Sequence, residues 1–268
     1  MFSPMRSILY ILLLSLISAF GYAQADTVFN QTDHRNLMQG HWKKFYKNGK
    51  VAYKGFFKDD KPRGEFTRYH ENGVMSAKLL FSECGDTAQV TLYSPLAKEV
   101  AKGKYLRKKK HGVWDYLNTK GQKVFSEEYN EGIKHGKFKI YYPTGEVFEQ
   151  VTWQNDNKNG ATTQYYLNGQ IKSLIFYEGG TEHGPVRLYY PDGEIRLEGK
   201  YAHGLKDDVW KFFDTDGKLL KQITYMQGIA ENHDELVEQE TKELEELLRN
   251  VGKYQDPDFE DFVGGQRY

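Results

Sequence analysis

Three histidines, His111, His135 and His183, each stand immediately before a glycine that recurs along this chain, and a row of imidazoles raises the question of a metal. If those glycines mark equivalent points of stacked hairpins, histidines in neighbouring hairpins lie about 9.6 Å apart, two strand spacings. Two ligands of one zinc, each ~2.0–2.1 Å from the ion, cannot be that far apart, so no metal site is expected. The carboxylates Glu127, Glu128 and Glu131 also cluster, but at a strand end and turn where solvated charge is the default. No G-x-S-x-G elbow, H-E-x-x-H helix or G-x-x-x-x-G-K-S/T loop is present. The expectation is a non-enzyme with no catalytic residue and no cofactor. Cys84 is the only cysteine, which excludes an intramolecular disulfide and reads as a small buried thiol.

Binding chemistry has better candidates. Tyr141-Tyr142, Tyr165-Tyr166 and Tyr189-Tyr190 are consecutive pairs, and adjacent residues of a strand point to opposite faces. If the first member of each pair is core, Tyr142, Tyr166 and Tyr190 form an outward row, with Tyr46 a distant fourth. Such rings offer a ladder on which a polymer such as a glycan can stack; the structural alternative is cross-strand aromatic packing. The densest basic run, Arg107 to His111, suits a phosphate-bearing partner, an acidic tail, or plain solvation.

These residues are positioned by a strict repeat. An aromatic returns every 24 residues at Phe57, Phe81, Tyr105, Tyr129, Trp153, Tyr177, Tyr201 and Tyr225. Glycines keep the same step at Gly40, Gly64, Gly112, Gly136, Gly160 and Gly184, with Ala88 and Asp208 completing the series. Eight copies without insertion or deletion mark an array in which each unit packs on the next. Within a unit, apolar residues stand two and five places after the register glycine, as in Phe138 and Tyr141; a turn follows, then a stretch of period two such as Ile195, Leu197, Gly199 and Tyr201. Each unit therefore reads as a hairpin. Asn48-Gly49, Asn72-Gly73 and Asn168-Gly169 predict type I′ turns between its strands, and about six residues link it to the next unit. The recurring aromatics fall at the inward end of the second strand. One conflict stays open: Trp and Phe two places after the glycine share parity with the outward tyrosines, so either both faces are partly covered or a bulge shifts the register.

Units such as Tyr129-Asn-Glu-Gly132-Ile-Lys-His-Gly136-Lys-Phe138-Lys-Ile-Tyr141-Tyr142-Pro-Thr-Gly145 resemble MORN repeats, in the variant form of bacterial YwqK-type proteins. The resemblance covers roughly residues 40–228. It implies an all-β solenoid of tandem β-hairpins forming a long twisted antiparallel sheet, about 75 Å for sixteen strands, used for binding or scaffolding. It also brings an antitoxin or immunity role against a toxin, a label at odds with the chain's apparent export.

That export is read from residues 1–25, where Arg6 precedes an apolar run from Ile8 to Phe20 and the A-x-A spacing of Ala23 and Ala25: a signal peptide, placing the protein in the periplasm, at the envelope or outside the cell. Residues 26–39 are a polar lead and 40–231 the eight repeats. Leu244, Leu247, Leu248 and Val251 predict an amphipathic helix over 232–252, expected as a C-terminal α-helical cap, followed by an acidic tail over 253–268. From Ile229 onward twelve acidic and four basic residues offset a basic repeat body, giving zero formal net charge. The expected partner is another protein or an envelope polymer, with a lipid headgroup as a further candidate contact, and no nucleic acid.

Overall fold

The computed structural model describes residues 27–231 and Lys242. Its elements are nineteen strands of antiparallel sheet. β1 (Gln31–Thr32) lies against the first hairpin, β2 (Met38–Phe45) and β3 (Val51–Lys58). Then come β4 (Lys61–Tyr69) and β5 (Met75–Phe81), β6 (Thr87–Tyr93) and β7 (Glu99–Leu106), and β8 (Lys109–Leu117) and β9 (Lys123–Asn130). The fifth repeat opens with a strand interrupted at His135, β10 (Ile133–Lys134) and β11 (Gly136–Tyr141), which leads to β12 (Val147–Gln154). β13 (Asn157–Tyr165) and β14 (Ile171–Glu178), β15 (Thr181–Tyr189) and β16 (Ile195–Ala202), and β17 (Leu205–Phe213) and β18 (Leu219–Met226) complete the array, ending in β19 (Ile229–Ala230). From β2 onward every strand pairs with its sequence neighbours, and β9 takes both β10 and β11, so the array is a meander.

The parity conflict is resolved by bulges. In all eight repeats the register shifts just before the fifth residue after the register position, as between Lys44 and Phe45 or Arg68 and Tyr69. One face therefore carries the side chains two places after the register position together with the 24-residue aromatics. Phe66, Val90, Trp114, Thr162, Val186 and Trp210 are its buried row. Phe45, first of the other row expected to be core, is 53% exposed. The recurring aromatics meet the buried row edge-on: Tyr105 on Trp114 at 5.0 Å, Tyr201 on Trp210 at 5.1 Å, and Phe57 and Phe81 on either side of Phe66 at 5.8 and 6.0 Å. Such contacts suit the ring quadrupole.

Size complementarity fills this face. Gly55, Gly103 and Gly199 lie under Phe66, Trp114 and Trp210, and a Cβ on them would stand 2.1, 2.4 and 2.5 Å from the ring above. Where the same position holds Leu79, Val151 or Ile175, its cross-strand partner is the smaller Val90, Thr162 or Val186. Bulges at Lys102/Lys104 and Glu198/Lys200 accompany the two indoles, which donate to the carbonyls of Lys104 and Lys200 at 3.1 and 3.2 Å.

The two turn types are the reverse of those expected. Asn48-Gly49 closes a three-residue loop in which Gly49 donates to the Tyr46 carbonyl and Tyr46 to that of Lys50; of the two, only the glycine has positive φ. This is a turn ending in a left-handed residue, not type I′. Paired positive φ values occur in the links between repeats, at Asp59-Asp60, Arg107-Lys108, Asn155-Asp156 and Gly179-Gly180 among others, so those six-residue links are tight two-residue hairpins.

The C-terminal α-helical cap is corrected. No helical element is among the described elements, and the edge of β18 is covered instead by β19, through Tyr225↔Ala230 and Met226↔Ile229. Ala230 is buried with Trp210, Ile223 and Tyr225, so the turn itself closes the end of the core. The expected helix span and acidic tail, residues 232–268 apart from Lys242, lie outside the described residues, as does the expected signal peptide.

The Gly–Trp pairing is testable. Gly103→Leu should cost about 1–3 kcal/mol by overpacking. Gly103→Leu with Trp114→Val should recover part of that loss in urea denaturation, since the Leu79–Val90 pair is then reproduced; strictly additive losses would refute the complementarity.

Candidate binding surfaces

The tyrosine row lies along one long edge of the sheet. Tyr142, Tyr166 and Tyr190 each begin the loop inside a hairpin, where the backbone N–H closes the turn, as Tyr142 does on the Glu146 carbonyl at 2.8 Å. All three are half-buried. Their hydroxyls reach the next repeat: Tyr142 donates to the Tyr165 carbonyl at 2.8 Å, Tyr166 to that of Tyr189 at 2.7 Å and Tyr190 to that of Phe213 at 2.9 Å. Tyr46 does the same to Tyr69, and His70 takes the place of a tyrosine against the Tyr93 carbonyl. The hydroxyls thus serve the fold, and the Tyr142 ring packs edge-on with Phe148 at 5.3 Å. Tyr190 also lines an apolar groove of about 380 Å³ with Leu197, Phe212, Phe213 and Leu220.

Ser94, Asn118 and Asp214 occupy this position in the other repeats, and their side chains accept hydrogen bonds within their own loops. Asparagines of the loops add a parallel set of rungs: Asn48, Asn72 and Asn168 donate to the carbonyls of Glu71, Pro95 and Pro191 at 3.0–3.1 Å. The Asn-Gly pairs thus tie neighbours together.

The basic run does not form one patch. Arg107 and Lys108 sit in the left-handed turn, with Arg107 3.8 Å from Glu131. Lys110 turns onto the aromatic face, its ammonium 4.8 Å from the centroids of both Trp114 and Tyr129. Lys134, Lys158 and Lys206, at the same repeat position, lie over Trp153, Tyr177 and Tyr225 at about 5 Å. Their stems cover ring surface while the charge stays near water.

Glu127 was not expected inside. It occupies the position of Gly103 and Gly199, is 8% exposed, and pairs with Lys134 at 2.7 Å while accepting from the Tyr129 hydroxyl at 2.6 Å. Burial opposes its ionisation, but Lys134, Tyr129 and Tyr116 outweigh that and hold its pKa below the ordinary glutamate range. Burial and the adjacent carboxylate push Tyr129 up to about 12. The only sequence signal was the break of an otherwise apolar or glycine position. Cys84, expected to be buried, is exposed beside Ser82 at 3.2 Å. His111 and His183 lie within β8 and β15 and His135 between β10 and β11, and among the described residues no three His, Cys, Asp or Glu side chains converge to hold a metal. No helix among them is long and apolar enough to cross a membrane.

Six segments, residues 38–59, 62–83, 134–155, 158–178, 182–203 and 209–227, match the family model described as MORN repeat variant. The unmatched middle, residues 84–133, contains the Ser94 and Asn118 gaps in the hydroxyl ladder and the buried Glu127. No curated protein matches the chain. Among solved structures it is similar to the crystal structure of TarM, at 15% identity over 41% of this chain and 19% of that one, with a TM-score of 0.23. A second similarity is to the TcdB2-TccC3-Cdc42 structure, at 9% identity over 72% of this chain and 12% of that one, TM-score 0.18. The chain spans less than a fifth of either.

Two outcomes follow for these residues. Tyr166→Phe keeps the ring but leaves the Tyr189 carbonyl without its rung, and should lower stability by about 0.5–1.5 kcal/mol in urea denaturation. Because the Glu127 pKa is depressed on folding, its contribution is present above the unfolded value of about 4.3 and fades as pH falls through the folded one. The stability difference between wild type and Glu127→Gln should therefore shrink on acidification below about pH 4.3; a difference constant with pH would contradict the assignment.

Proposed function

We propose that this array of MORN-type repeats is an exported, non-enzymatic binding or scaffolding module that works at the cell envelope or outside the cell, against another protein or an envelope polymer. MORN repeats act commonly as binding or scaffolding elements, which supports the coarse reading. The observation that carries it is the architecture. A meander of eight hairpins, its two long edges tied repeat to repeat, holds side chains at fixed spacings along a rigid surface. About 9.6 Å separates equivalent positions, which suits an extended partner better than a small molecule.

The tyrosine edge supplies one candidate contact, with Tyr142, Tyr166 and Tyr190 in register on three successive repeats. An envelope polymer stacking there would use the rings and leave the hydroxyl rungs intact. The full chain, incubated with insoluble envelope material, should be retained, and Tyr142→Ala, Tyr166→Ala and Tyr190→Ala together should release it. A protein co-purifying in stoichiometric amount would instead favour an antitoxin or immunity partnership. Absence of both retention and a stoichiometric partner would sink the module reading.

A further inference from the structure

The face opposite the aromatic one is polar along most of its length. From one strand to the next its central row reads Lys43, Lys54, Thr67, Lys78, Thr91, Lys102. Its N-terminal end breaks this pattern. Phe29, which forms a parallel bridge with His41, brings its ring to 6.3 Å from that imidazole, and Phe56 stands on the other side of the imidazole at 5.3 Å. Three rings thus form a wall beside the polar central row, and Phe29 and Phe56 are each 38% exposed. The wall bounds an open groove of about 810 Å³.

The charges in this groove are unbalanced in a way the fold does not require. Lys43 and Lys54 are direct cross-strand partners, and like charges so placed destabilise a sheet. Lys43 lies over the Phe29 ring at 4.2 Å, and neither lysine has a carboxylate partner among the described residues. Arg63, on the groove wall, has a buried Nε with no acceptor. Lys78, the next lysine of the row, is by contrast paired with Glu65 at 3.1 Å. An anion between Lys43 and Lys54 would offset their repulsion.

We propose that this groove binds a carboxylated glycan, with an acidic sugar's carboxylate between Lys43 and Lys54 and the apolar face of a sugar ring against Phe56. The carboxylates decide between polyanions. Glu65 and Glu83 also line the groove. They accept hydrogen bonds from sugar hydroxyls, donors that the phosphodiester backbone of DNA lacks. Phe56 offers a ring face to a flat apolar partner. This assignment rests on the reading of the array as a binding module and specifies a surface separate from the tyrosine edge.

The probes are oligogalacturonate, the same oligomer with its carboxylates methyl-esterified, and single-stranded DNA, titrated calorimetrically into the full chain. Oligogalacturonate should bind and its ester should not. Lys54→Gln and Phe56→Ala should each weaken binding roughly tenfold, about 1.4 kcal/mol; Lys54→Gln should do so without lowering the melting temperature, since it relieves the like-charge pair with Lys43. Lys120→Gln, in an exposed loop of the fourth repeat, should leave affinity unchanged. The proposal is overturned if oligogalacturonate does not bind, if the ester binds equally, if DNA binds more tightly, or if both groove variants bind as wild type. Envelope retention that survives both groove variants but not the tyrosine substitutions would remove this site and leave the module reading standing.

Discussion

Backbone carbonyls along both long edges of the sheet are claimed by the neighbouring repeat, and this constraint fixes the 24-residue period. On one edge the second residue of the tight link donates to a carbonyl 22 residues earlier, as in Gly132 to Lys110, Asp156 to Lys134, Gly180 to Lys158 and Gly204 to Glu182. On the other edge a tyrosine hydroxyl or asparagine amide reaches a carbonyl 23 residues ahead. An extra residue in a strand would turn one face of that strand over and pull these donors away from their acceptors. A buried or half-buried carbonyl left without a donor is costly, so the array tolerates changes of side chain far better than changes of length.

A single sheet has another difficulty: among the described residues its apolar face has no second layer to pack against. Here the problem is met by neighbours of unequal size. Large rings lie flat over glycines, bulges expose carbonyls to the indole N–H groups, and lysine stems from the link turns lie across the outermost rings. Burial remains partial, with Trp114 and Val151 the most completely covered large side chains among the described residues. Stability of this kind is the sum of repeat and interface terms. The junction of the fourth and fifth repeats departs from the scheme, with Glu127 in the small or aliphatic position and the strand broken at His135.

The period, the strand count per repeat and the one-sided apolar pattern were legible because each is a spacing, and spacing is what a sequence records directly. Five features were not. The parity of the aromatic rows depended on a bulge between residues such as Lys44 and Phe45, which shifts the register by one residue without a distinctive side chain. Asn48-Gly49 carried a true signal of tight turning, but the asparagine is selected by its bond to the Glu71 carbonyl in the next repeat, while type I′ geometry fell to pairs as unpromising as Arg107-Lys108. The helix cap was inferred from the general need of repeat arrays for an end; the last turn meets that need locally, by folding Ala230 under Tyr225. Glu127 and the N-terminal groove escaped because each depends on which residues of different repeats meet.

Departure from the repeat is therefore where this molecule becomes specific. A position that keeps its type through eight copies is held by packing, as the 24-residue aromatics are. Phe56 has its equivalents in Leu80, Lys104, Glu128, Thr152, Phe176, Lys200 and Thr224, so the backbone imposes no single chemistry there. Pairing of β2 with β3 places Phe56 beside His41, and the lead segment crossing the first strand adds Phe29, a contact available at one end of the array only. Repetition builds the platform, and its N-terminal end, where residues outside the period are added, is where the side chains are free to differ.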